Sequence, residues 1–368
     1  MRIFAPDRAS AISARNSSGV SQSARIMRIV IACLLMVVCS TAVTSAQDSA
    51  VKDPPRKQRK KRTPEERRAA LEAAKLKRDK MKGEKKKRIN EFADFMRVRE
   101  DSRGRPVKME TSITRYIGKN DKGEEVSVDL IGVVHIGEED YYKKLNEQFK
   151  QYDGMLYELV APEGTVIPKG GREEGASGGM NPVAGLQKTM QAGLGLQFQL
   201  DHIDYTKKNF IHADMTPEEF AESMAKNNES VGRIFQKAIG QSFAQSAMGN
   251  SGTSDAEMLM ALMSSNREIK LRRIMADQMQ NMEGSMNVFE GDSGSTIIDF
   301  RNAKCMDVLK REMNSGKKKL AIFYGAGHLP DMQRRLQSDF KLKRGGQFWL
   351  EAWNLELKKK KKKKKAKE

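Results

Sequence analysis

Two short stretches of this 368-residue chain share one design, and together they restrict the fold more than anything else in it. "VDLIGVVHIGEEDYY" passes from an apolar run through Gly132, Val133 and Val134 to His135, then into acidic residues with helical spacing. "KKLAIFYGAGHLPDM" passes from a second apolar run through Gly325, Ala326 and Gly327 to His328, again at the entrance to a helix. A short apolar run bounded by glycine reads as a buried strand. Strands that alternate with helices build a sheet covered by those helices, so the expected class is α/β, with a mixed, largely parallel sheet. In such sheets the groups just past the carboxyl ends of the strands line a common crevice. Both histidines are therefore expected at one edge of the sheet.

The first unit can be extended in both directions. "KMETSITRYI" and "EEVSVDLIGVV" alternate apolar and polar residues across "GKNDKGE", which predicts a hairpin starting near Val107. "GEEDYYKKLNEQFKQY" places Tyr141, Leu145 and Phe149 on one helix face, and "DGMLYELV" follows as a short buried strand. A crossover of that length makes the two strands parallel. Glu158 ends the second strand, and adjacent strands about 4.8 Å apart would bring it near His135. Two imidazoles and a carboxylate are a ligand set for a catalytic divalent metal such as Zn, Mn or Co. Such a metal lowers the pKa of bound water or polarises a carbonyl. The spacing alone has no local HExxH geometry, and a buried histidine satisfied by a hydrogen bond is the commoner case. Gly325-x-Gly327 is not a dinucleotide turn, because Pro330 stands where the third glycine would be.

The paired Gly-x-x-His motifs, with a glutamate after the second strand of the first unit, resemble the TraB/PrgY/GumN family, which is related to the Tiki metalloproteases. The resemblance covers about residues 110–357. It implies His135, Glu158 and His328 in a metal or catalytic centre, and it matches Arg301 and Asn302 to an Arg-Asn pair preceding the last strand. It also matches Gly132 and Gly325 to the motif glycines, and implies a helical insertion over 182–290, between the two Gly-x-x-His strands. Asp331 departs from the pattern, which has glycine after "GHLP". The implied activity is hydrolysis of a peptide or small acyl substrate, with Glu158, Arg301 and Asn302 as catalytic groups. There Arg301 would hold a substrate carboxylate or an oxyanion. The alternative is a non-catalytic envelope protein that sequesters a peptide signal.

Several other features have plainer readings. His202, Tyr205, His212 and Asp214 fall in "DHIDYTKKNFIHAD", read as a loop with local hydrogen bonds, at best supporting a site. The methionines from 248 to 286 read as core filling at helical spacing. Cys305 is mid-helix and expected to be buried and inert. It is the one cysteine left after residue 46, so no internal disulfide is expected there.

The ends of the chain carry its charge. Residues 1–46 read as a secretory signal, with arginines 25 and 28, an apolar run over 29–38 and a Thr44-Ser45-Ala46 cleavage site; an uncleaved anchor is the alternative. A secreted or periplasmic location follows, with possible attachment to the membrane. Residues 47–106 read as a basic linker and an exposed helix started by Thr63, Pro64 and Glu66. Residues 52–90 carry 18 Lys and Arg against six Asp and Glu, and 358–368 carry nine lysines against one Glu. Residues 91–357 are left at −4 of the total +19. A nucleic-acid-binding domain carries its positive charge on the fold, so no specific nucleic acid is expected. The arms instead suit an anionic lipid or envelope surface, and the poly-lysine tail should be disordered.

Overall fold

The computed structural model describes residues 91–170, 191–227, 255–286 and 295–357, with Glu72 and Glu229. The expected signal peptide and poly-lysine tail lie outside the described residues, as does most of the basic linker helix. No helix among the described residues is long and apolar enough to cross a membrane.

The strands in chain order are β1 (Met96–Glu100), β2 (Pro106–Lys119), β3 (Glu125–Val133), β4 (Ile136–Gly137), β5 (Gly154–Tyr157), β6 (Gln197–Phe198), β7 (Phe210–His212), β8 (Lys319–Gly325) and β9 (Lys343–Asn354). The helices are α1 (Glu139–Phe149), α2 (Pro217–Lys226), α3 (Asp255–Leu262), α4 (Arg267–Met286), α5 (Arg301–Asn314) and α6 (Leu329–Ser338). Seven strands form the main sheet, and β4 and β6 pair separately.

The predicted hairpin is present, with β2 and β3 antiparallel from Ile113↔Ile131 to Lys119↔Glu125. β2 is long enough to carry three partners. β9 runs along one edge over residues 108–117, so β1 and β3 must share the other edge, β1 against 106–111 and β3 against 113–119. The sheet therefore takes in residues upstream of Val107, where the alternation led us to start it. Beyond β3 the order is β8, β5, β7, all parallel. The sheet is evenly mixed rather than largely parallel, with three parallel and three antiparallel pairings.

One expectation needs correction here. β3 and β5 are parallel, as the crossover requires, but they are not neighbours. β8 lies between them, pairing β3 on one side and β5 on the other. β8 is buried from Leu320 to Gly325, as a central strand with both faces covered must be. Along β8 the side chains alternate. Ala321 and Phe323 enter a cluster with Tyr141, Leu145 and Phe149 of α1 and with Leu271 and Met275 of α4. Leu320, Ile322 and Tyr324 enter a second cluster with Cys305 and Leu309 of α5 and with Leu329, Met332 and Leu336 of α6. The fold is thus a mixed α/β sheet flanked by helices on both faces, each fully buried large apolar side chain contributing about 1.5–3 kcal/mol.

Residues 182–290 are only partly helical in their described portions, since β7 joins the main sheet from within them. The capping box at Thr216 starts α2, with Glu219 N donating to the Thr216 hydroxyl at 3.2 Å. The methionines do not act uniformly as core. Met275 is buried, whereas Met260 is 64% and Met263 80% exposed. Cys305 is buried as expected, and burial pushes its thiol pKa up.

Candidate functional site

Register decides what meets at the carboxyl ends of the parallel strands. Val133 of β3 stands opposite Gly325 of β8, and Tyr157 of β5 stands opposite both Phe323 of β8 and His212 of β7. His135, Glu158, Asp214 and the turn bearing His328 each follow one of these strand ends. They share one edge, as expected for an open α/β sheet.

The segment holding His135 leaves the sheet, so its backbone carbonyls need partners from elsewhere. The Tyr141 hydroxyl donates to Gly132 O at 3.2 Å, the Tyr142 hydroxyl to Val134 O at 2.9 Å and the Trp353 indole to Ile136 O at 2.7 Å. Gln199 N donates to His135 O at 2.9 Å. The imidazole is half-buried, and its Nδ1 lies 3.0 Å from Gln199 Oε1.

His328 lies in a short 3₁₀ turn leading into α6 and is buried. Asn302, in the first turn of α5, donates through Nδ2 to His328 O at 3.1 Å and to Asp331 Oδ2 at 3.0 Å. Its Oδ1 therefore faces His328 Nδ1, at 2.7 Å. An amide oxygen only accepts, so Nδ1 carries a proton, and Nε2 is the nitrogen turned toward Glu158. That Nε2 lies 3.5 Å from Glu158 Oε1. Asp331 anchors Asn302 and also pairs with Arg335 at 2.6 Å.

Behind the histidines is a buried ion cluster. Glu158 Oε1 accepts from Arg301 Nη2 at 2.8 Å, and Oε2 accepts from Gly325 N at 2.7 Å. Arg301 Nε donates to Asp214 Oδ1 at 2.9 Å. Arg301 is 1%, Asp214 2% and Glu158 8% exposed. Burial by itself would push the Glu158 carboxyl up. The His328 and Arg301 charges, the His328 contact and the more distant His135 outweigh it and hold the carboxyl well below the usual carboxylate range. A single π-helical turn, Thr296–Phe300, immediately precedes Arg301, and such turns recur at functional sites.

Gly325 explains how His135 and Glu158 come to face one another although β8 separates their strands. A Cβ at Gly325 would sit 3.3 Å from Glu158 Oε2 and 3.7 Å from His135 Nε2, so the missing side chain is the gap between them. Gly325→Ala is expected to fold, losing about 1–3 kcal/mol in urea melts, because only the end of one side chain must shift. A loss well above that range would mean that neither Glu158 nor His135 can give way. Gly132 has a different reason to be glycine. A Cβ there would meet Leu329 Cδ1 at 3.1 Å and the Phe95 carbonyl at 3.5 Å, so it serves the packing of α6.

All five residues expected at a site, His135, Glu158, Arg301, Asn302 and His328, gather at this edge. Arg301 bridges Glu158 and Asp214 inside the protein, away from solvent. Of the four residues read as a loop, Asp214 belongs to the ion cluster, and the Tyr205 hydroxyl accepts from Gln199 Nε2 at 2.8 Å. His212 is bound to Leu159 O at 2.6 Å and His202 stacks on Tyr142, both outside the cluster. Gln199 went unnoticed in the sequence, where a lone glutamine carries no signal. Among the described residues, no three His, Cys, Asp or Glu side chains are arranged to hold a metal ion. The chain matches no protein-family model, no curated protein and no solved structure.

Proposed function

We propose that this crevice hydrolyses a peptide or similar acyl bond, in a TraB-like protein exported to the periplasm or beyond. One observation carries the reading. Both imidazoles have Nδ1 on an amide oxygen, which turns Nε2 of His328 to the buried carboxylate of Glu158 at 3.5 Å and Nε2 of His135 to the gap beside Gly325 on the same edge. In that reading the two Gly-x-x-His turns bracket the helical insertion and present their histidines to one substrate.

A divalent metal fits the chemistry of the donor set. Histidines that ligate metals are held in this way through their other nitrogen, and the buried carboxylates Glu158 and Asp214 outnumber the one guanidinium between them. The fit rests on donor chemistry, since the three side chains do not already converge. His135, His328 and Glu158 would hold the ion, which would supply a Lewis acid or an acidified water. The residues of the chain have their own parts. With no ion bound, His135, the half-buried member, would instead accept the proton of the attacking water at Nε2 and return it to the leaving group. Glu158 favours the protonated imidazoles that form during transfer. Arg301 and Gly325 N–H keep Glu158 ionised and aimed, and Asn302 aims His328.

The test has two arms. Metal content of the purified chain should be about one divalent ion, lost in both His135→Ala and His328→Ala. Equal content in all three, or none in any, removes the metal from the proposal. Incubation with a mixed peptide library, read by mass spectrometry, should show cleavage that fails in both variants. Binding without cleavage by the wild type would favour sequestration of a peptide over hydrolysis.

A further inference from the structure

The two histidines are held by the same device, and only half of that device was visible in the sequence. Asn302 grips His328 at two points, its carbonyl through Nδ2 at 3.1 Å and its Nδ1 through Oδ1 at 2.7 Å. Gln199 grips His135 at the same two points, its carbonyl through the backbone N–H at 2.9 Å and its Nδ1 through Oε1 at 3.0 Å. The two amides come from unrelated elements, one from α5 and the other from the turn after β6.

We infer that Gln199 is the positioning residue for His135, fixing its proton on Nδ1 so that Nε2 faces the crevice as a lone pair. This rests on the reading of the edge as a His/Glu/His site. Three observations support it. Gln199 is 6% exposed, so its amide needs partners inside the protein. β6 pairs with β4 in the register Ile136↔Phe198 and Gly137↔Gln197, which sets residue 199 opposite residue 135. The start of the β6 segment is itself clamped from α4. Arg272 Nε donates to Leu194 O at 2.7 Å and its Nη2 to Gly195 O at 2.9 Å, across the left-handed turn at Gly195 (φ +62°).

The orientation of each amide is what matters. Asn302 cannot turn over, because its Nδ2 faces a carbonyl and a carboxylate, which only accept. Gln199 Nε2 faces the Tyr205 hydroxyl, which accepts here but is able to donate. A hydroxyl fits either orientation, so it is the amide as it stands, Oε1 toward Nδ1 and Nε2 satisfied by Tyr205, that sets the tautomer of His135. Without an acceptor at Nδ1 the imidazole reverts to the Nε2–H form that histidine favours in water, and its lone pair turns away from the crevice.

The experiment reads tautomers directly and needs neither substrate nor metal. The full chain is labelled with ¹⁵N-histidine, stripped of metal and held at a pH above histidine titration. Its four histidines are resolved by two-bond proton–nitrogen spectra and assigned with single histidine variants. His135 and His328 should both show a protonated Nδ1 and a lone-pair Nε2. Gln199→Leu should move most of the His135 signal to the Nε2–H pattern and leave His328 unchanged, the latter reporting that the edge is still folded. Gln199→Glu keeps an acceptor at Nδ1 and should keep the wild-type pattern. If Gln199→Leu does not fold, Tyr205→Phe serves instead. It removes the acceptor of Gln199 Nε2, so the amide gains by turning that group to His135 Nδ1, and His135 should show a mixture of tautomers. An Nε2–H His135 in the wild type overturns the inference, as does an unchanged His135 in a folded variant. Absence of peptide cleavage with the tautomers as stated would remove the hydrolase reading and leave the assignment of Gln199 standing.

Discussion

Arg301→Met should destabilise the domain by about 3–5 kcal/mol, the cost of leaving buried charge uncompensated. The guanidinium is 1% exposed and bridges two carboxylates that are themselves buried, Glu158 and Asp214. Its removal leaves both without this partner at buried positions. Arg301→Lys should recover only part of the loss. An ammonium is a compact point charge and lacks the planar fork that spans two acceptors. Replacing Asp214 as well, in Arg301→Met with Asp214→Leu, should be less damaging than Arg301→Met alone, since a charge is then deleted with its counter-charge. Urea melts of the three variants at neutral pH decide the matter. A loss under about 1 kcal/mol for Arg301→Met, the range of an exposed pair, would mean that Arg301 is not the counter-charge of the cluster.

Local signals in the sequence were legible where the structure is local. The hairpin of β2 and β3 follows from alternation, and the buried face of α1 from the spacing of Tyr141, Leu145 and Phe149. The Thr216 capping box is complete in both directions. The common edge of His135 and His328 followed from a general property of parallel sheets, and Glu158 from its position at a strand end. What was not legible depended on strand order. Nothing between residues 137 and 158 says that a strand from residue 319 onward will separate β3 from β5. The expected approach of His135 to Glu158 assumed neighbouring strands. It occurs instead across an intervening strand, at the one place where that strand has no side chain.

The supporting residues were harder to read for a chemical reason. Histidine and glutamate announce chemistry by type, whereas an amide or a distant aspartate acquires a role only from its neighbours. Asp214 follows a three-residue strand too short to stand out by alternation, and Gln199 sits in a four-residue helical turn. Both reach the site through pairings that join segments tens of residues apart. The evenly mixed sheet has the same origin. β9, the last strand, pairs with β2, the first long strand of the chain.

Glu158→Gln should separate the chemistry of this cluster from its stability. Glutamine keeps an acceptor for Gly325 N–H and loses the charge, so peptide cleavage should fall by about 10²–10⁴-fold. The stability loss at neutral pH should be smaller than for Arg301→Met, about 1–3 kcal/mol, because Arg301 keeps Asp214 as its counter-charge. The difference between wild type and Glu158→Gln should also depend on pH, with a definite sign. Glu158 titrates well below 4.5 in the folded chain, so its carboxylate stabilises the fold fully above the unfolded value of about 4.3–4.5. That contribution declines as pH falls below this value and is lost as pH passes through the depressed folded pKa. The variant has no such group and should show a flatter acid limb, its stability approaching that of the wild type in acid. Urea melts from pH 7 down to pH 3 test this. A gap that stays constant over the range would mean that Glu158 gains no stability from ionising in the fold. A loss at neutral pH equal to that of Arg301→Met would mean that Arg301 and Asp214 do not balance one another once Glu158 is neutral.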